Sequence, residues 1–434
     1  MTWPTVKLQR VTSKIGSGAT PRGGGEVYQS SGIPLIRSMN VHFDGFREKG
    51  LVFIGEEEAA QLDHVTVQPD DVLFNITGAS IGRVTTAPAE MTGARVNQHV
   101  CILRTTDALL PRFLAYYMAT SGQQAVVNSN QVGGTRQAVT KALLLNWAVP
   151  LPPPSEQQRI VEVLQQADGL RRQRVEADSL ADLILPALFH KMFGDPATNP
   201  KGWPRVRLET VIADTRNGLY KHADFYGRGT QILKMFNILE GRLNLSRVDR
   251  VELDADELAA YRLEPGDILV NRVNTPELVG KCAVIPAELG EAVFESKNIR
   301  LHLKSDVADS NYVAHFLNTS FGHATLCQGV KHAIGMATIN NSDVRNCQLP
   351  LPPITRQREW AKHVVSYRKL TAQTEAAKAN LDQLFQVLLH RAFTGELTAK
   401  WREAHLKELL AEMEHQARLL GIKPTEPVEQ AANR

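Results

Sequence analysis

The sequence carries the same proline-rich joint twice, and this repetition constrains the fold more than any other feature. Residues 149–164 read VPLPPPSEQQRIVEVL, and residues 349–364 read LPLPPITRQREWAKHV. Further segments recur in the same order about 200 positions apart. WPTVKLQRV from Trp3 matches WPRVRLETV from Trp203, and PDDVLFN ending at Asn75 matches PGDILVN ending at Asn271. The chain is therefore predicted to contain two copies of one structural unit.

Each copy combines a globular part with a long helix. In the globular parts, segments such as DVLFNI and IRLHLK predict strands, whereas PRFLAYYMATSGQQAVV has apolar residues three and four apart and predicts a helix. The expected fold class is α+β, with two globular domains that alternate with two long helices. The predicted boundaries are 1–148 for the first globular domain, 149–202 for the joint and central helix, 203–348 for the second globular domain, 349–398 for the second joint and helix, and 399–434 for an amphipathic helix and a disordered tail.

The start of each long helix is predicted from its polar residues. Ser155 is expected to cap the first helix, with Gln158 completing a capping box, whereas the second copy keeps only the cap, Thr355. Pro186 is expected to kink or interrupt the first helix near its end, because proline cannot donate a helical hydrogen bond.

The two long helices are also expected to pack against each other. Counting in sevens along them gives mostly apolar residues in both copies, including Ile160 and Leu170 in the first and Trp360 and Leu370 in the second. This spacing predicts an antiparallel, coiled-coil-like spacer between the globular domains. A dimerisation element would have the same pattern, so the helices alone do not decide between the two roles.

Composition limits the class of protein. Hydrophobic residues make up 43% of the 434 positions and charged residues 22%, which is typical of globular proteins. The sequence has neither an apolar run of membrane-spanning length nor an amino-terminal signal peptide, so a cytoplasmic protein is expected. The four cysteines are scattered and do not predict a disulfide framework or a zinc site. A net charge of +3 does not by itself indicate a nucleic-acid partner.

The order of these motifs resembles the specificity subunit of type I restriction–modification systems, over nearly the whole chain. The resemblance rests on both PLPP…Q joints and the helices after them, on PDDVLFNITGASIGRV and PGDILVNRVNTPELVGKCAV, and on HRAFTGELT near the carboxyl end. It implies two target-recognition domains, each reading one half of a bipartite double-stranded DNA site. It also implies that the long helices set the spacing and dock two methylation subunits, with restriction subunits joining the full complex.

The resemblance further implies that the chain is not catalytic by itself and holds no cofactor or metal. The partner subunits are expected to use S-adenosylmethionine for methylation, and ATP with Mg²⁺ for translocation and cleavage. The main alternative is a coiled-coil scaffold that binds proteins without DNA specificity.

Enzymatic alternatives have weak support. Asp267, Glu295 and Lys297 could form the carboxylate-and-lysine set of a metal-dependent nuclease, but the first copy lacks the Glu and the Lys. PELVGKC ending at Cys282 lacks the first glycine and the hydroxyl residue of a phosphate loop. The Asn-Pro-Pro-aromatic tetrapeptide of amino-methyltransferases is also missing.

Candidate DNA contacts are residues in polar or glycine-rich segments whose side chains suit phosphates or base edges. In the first copy they are Thr20, Arg22, Arg37, Asn40, Asn75, Thr77, Arg95, Asn97, Gln98, Thr135, Arg136 and Gln137. In the second copy they are Lys221, Lys234, Asn237, Asn271, Arg272, Asn274, Lys297, Asn298, Lys331 and His332.

Each of these residues also has a structural explanation. A loop asparagine commonly makes a local turn bond, and Asn40 and Asn237 recur in both copies, as scaffold residues would. Residues that read two different half-sites should differ between the copies, which favours GGTRQ at 133–137 and KHAIGMAT at 331–338 as readers. The acidic runs at 56–58 and 252–257 are expected to start helices and to face away from DNA.

Overall fold

Two compact units make up the chain. The computed structural model describes residues 3–129, 138–239, 241–329, 331–333 and 335–421. The first unit contains the residues up to Ala177 and those from Ala376 onward, and the second unit contains Asp178–Glu375.

The globular part of the first unit has eleven described strands. They are β1 (Thr5–Lys7), β2 (Thr12–Ser17), β3 (Ile33–Ile36), β4 (Val41–His42), β5 (Gly45–Phe46), β6 (Val52–Ile54), β7 (Val72–Asn75), β8 (Val84–Thr86), β9 (Arg95–Val96), β10 (Val100–Thr105) and β11 (Ala148–Pro150). The central sheet has the order β2-β10-β7-β8, and smaller sheets have the orders β6-β3-β9, β4-β5 and β1-β11.

The second unit has fourteen described strands. They are β12 (Arg205–Arg207), β13 (Ile212–Asn217), β14 (Tyr226–Leu233), β15 (Ile238–Leu239), β16 (Arg242–Leu243), β17 (Asp249–Val251), β18 (Ile268–Asn271), β19 (Val273–Asn274), β20 (Cys282–Val284), β21 (Ala292–Phe294), β22 (Asn298–Leu303), β23 (Lys331–Ala333), β24 (Met336–Thr338) and β25 (Gln348–Pro350). The orders β13-β22-β18-β20, β17-β14-β21, β15-β16 and β12-β25 repeat those of the first unit. The predicted duplication is thus confirmed for eleven strands of each unit, and β19, β24 and β23 form a further sheet in the second unit.

Helices cover the sheets and form the long segments. The described α-helices are α1 (Glu56–Gln61), α2 (Pro111–Ala119), α3 (Ser121–Ser129), α4 (Lys141–Leu145), α5 (Pro154–Ala181), α6 (Ile184–Phe193), α7 (Ala255–Tyr261), α8 (Ser310–Asn318), α9 (Ser320–Leu326), α10 (Asn341–Asn346), α11 (Ile354–Phe393), α12 (Ala399–Ala404) and α13 (Leu406–Leu420). None of the helices in the described ranges is long and apolar enough to cross a membrane.

The two long helices run antiparallel within each unit. In the first unit, Arg171 of α5 forms an ion pair with Asp382 of α11 at 2.7 Å. In the second unit, the Tyr367 hydroxyl of α11 donates to Asp182 at 3.1 Å, just before α6 begins. The predicted α+β fold with paired long helices is confirmed. The seam is less regular than the spacing in sevens predicts, because Leu170 is largely exposed.

Each unit buries its own apolar core, which includes the end of a long helix. In the first unit, Phe385 and Leu389 of α11 lie in a cluster with Phe113 of α2. In the second unit, Phe189 of α6 and Trp360 of α11 pack edge-to-face with ring centroids 5.2 Å apart. Large aromatic rings contribute most to such cores, so the ends of the long helices are held firmly to the globular parts.

The predicted caps of the long helices are wrong. Helix α5 begins at Pro154, and the Pro153 carbonyl accepts from the Glu156 and Gln157 backbone N–H groups at 3.0 Å. Ser155 lies inside the helix and donates its hydroxyl to Glu412 at 2.9 Å. Proline suits the first helical position, because its backbone angle is already helical and its missing N–H is not needed there.

The buried glutamine of each joint is the residue that ties the helix to the globular part. The Gln157 side chain donates to the Pro152 carbonyl at 2.9 Å and accepts from the Leu110 backbone N–H at 2.8 Å. Gln357 repeats this arrangement with the Pro352 carbonyl and the Asp309 backbone N–H. The Q of the PLPP…Q joint is therefore structural in both units.

The first long helix is interrupted close to Pro186, as predicted. Helix α5 ends at Ala181, and α6 starts at Ile184 and contains Pro186 in its first turn. The predicted amphipathic helix near the carboxyl end is confirmed as α12 and α13, which break at His405. The expected disordered tail beyond Pro424 lies outside the described residues.

The carboxyl-terminal helices are tied to the first joint by a buried ion pair. Arg402 of α12 donates to the Glu156 carboxylate at 2.7 Å, and both side chains are buried. Trp3 donates its indole N–H to the same carboxylate at 2.9 Å. Removing one partner of such a pair leaves a buried charge, so this contact fixes α12 to the globular part.

Candidate nucleic-acid interface

Three backbone segments of the first unit meet at one end of its central sheet. They follow β2, follow β7 and precede β10, and the register pairs Asn75 with Val100 at that end. The Ile76 N–H donates to the His99 carbonyl at 2.9 Å, and the Ala19 N–H donates to the Val96 carbonyl at 3.3 Å. Residues 18–20, 75–77 and 96–99 are hereafter called the first platform.

The second unit repeats this arrangement with the same backbone hydrogen bonds. The Arg272 N–H donates to the Lys297 carbonyl at 2.8 Å, and the Leu219 N–H donates to the Phe294 carbonyl at 2.8 Å. Strands β23 and β24 join here, because β24 pairs with β19. Residues 218–221, 271–274 and 294–298 are hereafter called the second platform.

A glycine opens each platform because no side chain fits at that position. A Cβ at Gly18 would lie 1.9 Å from the Val96 carbonyl oxygen, and one at Gly218 would lie 2.0 Å from the Glu295 carbonyl oxygen. The two segments therefore approach more closely than any other residue allows. This contact fixes the backbone direction of the residues that follow, Thr20 and Tyr220.

The side chains of the first platform form a hydrogen-bonded chain. The Thr20 hydroxyl bonds to the Gln98 side-chain oxygen. The Gln98 side-chain nitrogen lies 3.1 Å from His99 Nε2, and His99 Nδ1 lies 2.5 Å from the Thr77 hydroxyl. The chain joins all three segments of the platform.

The second platform carries different groups on the same frame. Asn271 and Asn298 are fully buried and bond to each other at 3.2 Å, and Asn274 donates to the Asn271 oxygen at 2.8 Å. Lys297 and Tyr220 project outward. Tyr220 is 82% exposed, the highest value among the large apolar and aromatic side chains of the described ranges.

About half of the predicted DNA contacts lie on the two platforms. Thr20, Asn75, Thr77, Asn97 and Gln98 are on the first, and Lys221, Asn271, Arg272, Asn274, Lys297 and Asn298 are on the second. Residues far apart in sequence are thus brought to one end of each central sheet.

The side chains of some predicted DNA contacts are hydrogen-bonded to the backbone of their own unit. The Asn40 oxygen accepts from the Arg37 N–H at 2.9 Å, and its nitrogen donates to the Arg47 carbonyl at 2.8 Å. Asn237 makes the equivalent bonds to Lys234 and Asn244 at 2.8 Å each. Both asparagines are fully buried, which favours the scaffold interpretation of these repeated residues.

Several predicted cations are paired inside their own unit. Arg95 is buried, donates to the Ala59 carbonyl at 3.0 Å and forms an ion pair with Asp63. Lys221 and Lys234 form ion pairs of 2.7 Å with Glu257 and Asp249.

Two predicted arginines of the first copy differ in their surroundings. Arg37 donates to the Gly50 carbonyl and lies over the Tyr28 ring, with its guanidinium carbon 5.6 Å from the ring centroid. Arg22 is exposed in the glycine-rich loop after the first platform, where Gly23 and Gly24 adopt positive φ angles.

Both segments favoured as readers are only partly described. Thr135, Arg136 and Gln137 lie outside the described residues. Lys331 and His332 lie in β23, which pairs with β24 beside the second platform. Their contact with DNA stays a prediction, as does that of the other candidates.

Two platform residues escaped the sequence reasoning, His99 and Tyr220. Neither has a matching residue type in the other copy: His99 corresponds to Lys297, and Tyr220 to Thr20, through the shared backbone hydrogen bonds. The difference in residue number between matching positions is larger by two for Thr20 and Tyr220 than for His99 and Lys297. A structural comparison of the two copies therefore finds these matches, whereas a constant sequence offset does not.

A buried carboxylate lies at the opposite end of each central sheet. Asp71 forms an ion pair with Arg104 at 2.8 Å, and the Asp267 carboxylate lies 2.8 Å from His302 Nδ1, within hydrogen-bond distance. Asp267 precedes Ile268, at one end of β18. Asn271 and Asn298 pair at the other end of β18, which is the platform end near Glu295.

The three residues of the candidate nuclease site, Asp267, Glu295 and Lys297, therefore do not lie together. Glu295 accepts from the Met235 N–H at 2.7 Å, at the platform end of β18, whereas Asp267 precedes the other end of that strand. The described residues also contain no group of three or more His, Cys, Asp or Glu side chains able to hold a metal ion.

Comparison with known proteins shows which family of proteins this chain resembles. Residues 2–177 match the family model described as the type I restriction modification DNA specificity domain. Over these residues the chain carries that domain, and the relatives with which it shares most of its length are type I specificity subunits. It is 25% identical over 435 residues to the StySPI specificity subunit of Salmonella potsdam, covering 92% of this chain and 90% of that protein. It is 24% identical over 398 residues to the EcoKI specificity subunit of Escherichia coli K12, covering 85% and 83%.

Solved structures have the same fold as this chain. A chain from a study of complex assembly and conformational transition of the type I R-M system aligns with a TM-score of 0.57 and 19% identity, covering 91% of this chain and 98% of that one. The S subunit of M. genitalium aligns with a TM-score of 0.53 and 13% identity, covering 90% and 96%. At these identities the likeness concerns the fold alone.

Proposed function

We propose that this chain reads a bipartite site in double-stranded DNA, with one half read by each platform. The observation that carries the proposal is the duplicated frame. The same backbone hydrogen bonds hold the two platforms, while the side chains on them differ, as Thr20 and Tyr220 illustrate. A reader of two unequal half-sites needs this combination, because the shared frame positions the segments and the differing side chains select the bases.

Within the platforms, exposed groups are the proposed DNA contacts. Gln98 and Lys297 are exposed, as is Arg22 beside the first platform. Lysine and arginine suit phosphates and guanine, and glutamine suits adenine. Buried asparagines such as Asn271 are proposed to shape the platform.

The long helices are proposed to set the spacing of the half-sites and to dock two methylation subunits. Exposed apolar residues support the docking role, with Leu170 and Val175 in the first unit and Val365 and Leu370 in the second. Apolar side chains at the surface of a long helix are typical of protein contacts.

Catalysis is proposed to lie in the partner subunits, which would use S-adenosylmethionine, ATP and Mg²⁺, with restriction subunits completing the complex. This chain would contribute recognition without catalysis. The proposal includes the cytoplasmic location that the sequence predicts.

A footprinting experiment tests the proposed function. The complex of this chain with its methylation partner is expected to protect two separated stretches of a duplex selected from a random-sequence DNA pool. Affinity should fall steeply with salt, because phosphate contacts release counterions. Protection at random positions, or at one continuous stretch, would contradict the proposal. Protein binding with no DNA protection would instead support the scaffold alternative.

A further inference from the structure

The hydrogen-bonded chain of the first platform has a fixed direction. The Gln98 side-chain nitrogen donates towards His99 Nε2. His99 Nδ1 lies 2.5 Å from the Thr77 hydroxyl oxygen. At the other end, the Thr20 hydroxyl donates to the Gln98 oxygen. Both the oxygen and the nitrogen of the Gln98 amide are thereby held by hydrogen bonds.

Each polar atom of the Gln98 amide keeps one bonding site. Its oxygen has two lone pairs, of which Thr20 uses one, and its nitrogen has two hydrogens, of which His99 uses one. Among the described residues no further partner takes these sites, and the side chain is exposed. One acceptor site and one donor site therefore remain on this exposed amide.

This pair of sites matches one base edge in the major groove. Adenine presents the N6 amino group as donor and N7 as acceptor, and a glutamine amide can bond to both. Guanine presents two acceptors, O6 and N7, so one of them would face the Gln98 oxygen without a proton between them. An amide held at both ends also loses less side-chain entropy on binding than a free one.

The second platform has no equivalent chain. The position of Gln98 is taken by Ser296, that of His99 by Lys297 and that of Thr20 by Tyr220, as the shared backbone bonds align them. An adenine contact of this kind is therefore expected from the first unit alone.

We infer that Gln98 reads one adenine of the half-site recognised by the first unit, with Thr20 and His99 as positioning residues that hold its amide. This inference rests on the proposed DNA-reading function. It adds the base that is read, the atoms that read it and the residues that set their orientation.

The first test is selection from a random duplex pool by the full chain and its Gln98→Ala variant. The wild type should enrich a two-part motif, and the variant should lose an adenine preference of roughly tenfold at one base pair of one half. The other half should be unchanged. Gln61→Ala, an exposed glutamine at the end of α1, is the matched control and should enrich the wild-type motif.

A modified base then tests the atoms. A duplex in which 7-deazaadenine replaces the adenine lacks the N7 acceptor. It should bind the wild type several-fold more weakly than the natural duplex, and the two duplexes should bind Gln98→Ala equally. Equal binding of both duplexes to the wild type would overturn the contact.

The positioning role is tested by conservative pairs. Thr20→Val removes the hydroxyl and should reduce the preference at that base pair, whereas Thr20→Ser should restore it. His99→Leu should have the same effect as Thr20→Val, without changing affinity for a duplex that lacks the motif. A merely structural role would lower affinity for both duplexes together.

The outcomes separate this inference from the proposed function. If the wild type enriches no motif, the proposed function fails. If it enriches a two-part motif that Gln98→Ala leaves intact, DNA reading stands and the inference about Gln98 is overturned.

Discussion

At the scale of single residues, the two copies separate scaffold from reader. A group that recurs and is buried, such as Asn40 or Asn237, has its bonds inside the unit, whereas the exposed groups differ between the platforms. Recurrence in a duplicated chain therefore indicates structure, and divergence on a shared frame indicates recognition. This criterion needs only the two copies within one chain and no other sequence.

Substituting Asn237 with alanine should lower the stability of the second unit. The change leaves the Lys234 N–H and the Asn244 and Arg247 carbonyls without their partner, all of which it bonds at 2.7–2.8 Å. We expect a loss of about 3 kcal/mol in the free energy of unfolding, measured by denaturant titration.

The exposed Asn346 provides the control for this measurement, and its replacement by alanine should cost at most about 0.5 kcal/mol. Normal stability of Asn237→Ala together with a changed DNA motif would show that Asn237 is a reader.

His315 should make the second unit sensitive to mild acid. Burial lowers the pKa of His315 to about 4, from an ordinary value near 6.5, and its ring packs 4.4 Å from that of Phe189. Between these two pH values the unfolded chain binds a proton that the folded chain does not. The free energy of unfolding should therefore fall as pH drops from about 6.5 towards 4, by at most about 1.4 kcal/mol per pH unit.

The midpoint temperature of thermal unfolding, measured at several pH values between 7.5 and 5.0, tests this effect. The slope of that temperature against pH should be smaller in His315→Gln. The same change at the exposed His363 should leave the slope in place, because the slope arises from burial. An identical slope in His315→Gln would locate the acid sensitivity elsewhere.

At the scale of elements, two buried glutamines, Gln157 and Gln416, hold the first joint between globular part and long helix. The Gln157 nitrogen donates to the Ala108 and Pro152 carbonyls, and its oxygen accepts from the Leu110 N–H. The side chain is fully buried. It therefore joins three chain segments where the helix begins.

Replacing Gln157 with alanine should cost about 2 kcal/mol, because the Leu110 N–H loses its partner and the Ala108 and Pro152 carbonyls keep only their bonds from Gln416. The next residue, Gln158, is exposed, and its replacement by alanine should cost at most about 0.5 kcal/mol. Chemical denaturation of both variants measures the difference. Equal stabilities would mean that Gln416 and the prolines fix the joint without Gln157.

The same joint shows how far the sequence could be interpreted. Proline spacing and the repeat predicted where the long helices begin, because those features are local. The Ser155 cap was wrong, since Pro154 occupies the first helical position and Glu412, 257 residues away, takes the hydroxyl. The bonds of Gln157 also reach distant segments, which no local pattern specifies.

The candidate site was predictable in residue type more than in geometry. Polar loops pointed to Gln98 and Thr20, but their bond across 78 positions exists only in the fold. His99 and Tyr220 were missed because the sequence offset between the copies differs from segment to segment, and only the backbone hydrogen bonds align these residues with Lys297 and Thr20.

At the scale of the whole molecule, the two halves have separate cores. The clusters of the first unit draw on residues up to Leu164 and from Phe385 onward, and the clusters of the second unit lie between Phe189 and Val364. One recognition part can therefore be replaced without disturbing the core of the other.

Exchanging residues 1–148 for those of a relative should change one half of the selected DNA motif and leave the other half intact. The exchanged segment must keep a tryptophan at position 3, because Trp3 bonds to the Glu156 carboxylate that also binds Arg402. Without it the buried carboxylate loses a donor, and instability would obscure the result.

The reciprocal exchange of residues 203–348 serves as the control and should alter the opposite half of the motif. Selection from a random duplex pool measures both chimaeras, with the number of base pairs between the halves as a second readout. That number should stay constant in both, because the long helices are unchanged. If either exchange altered both halves together, recognition would not be divided between the two units.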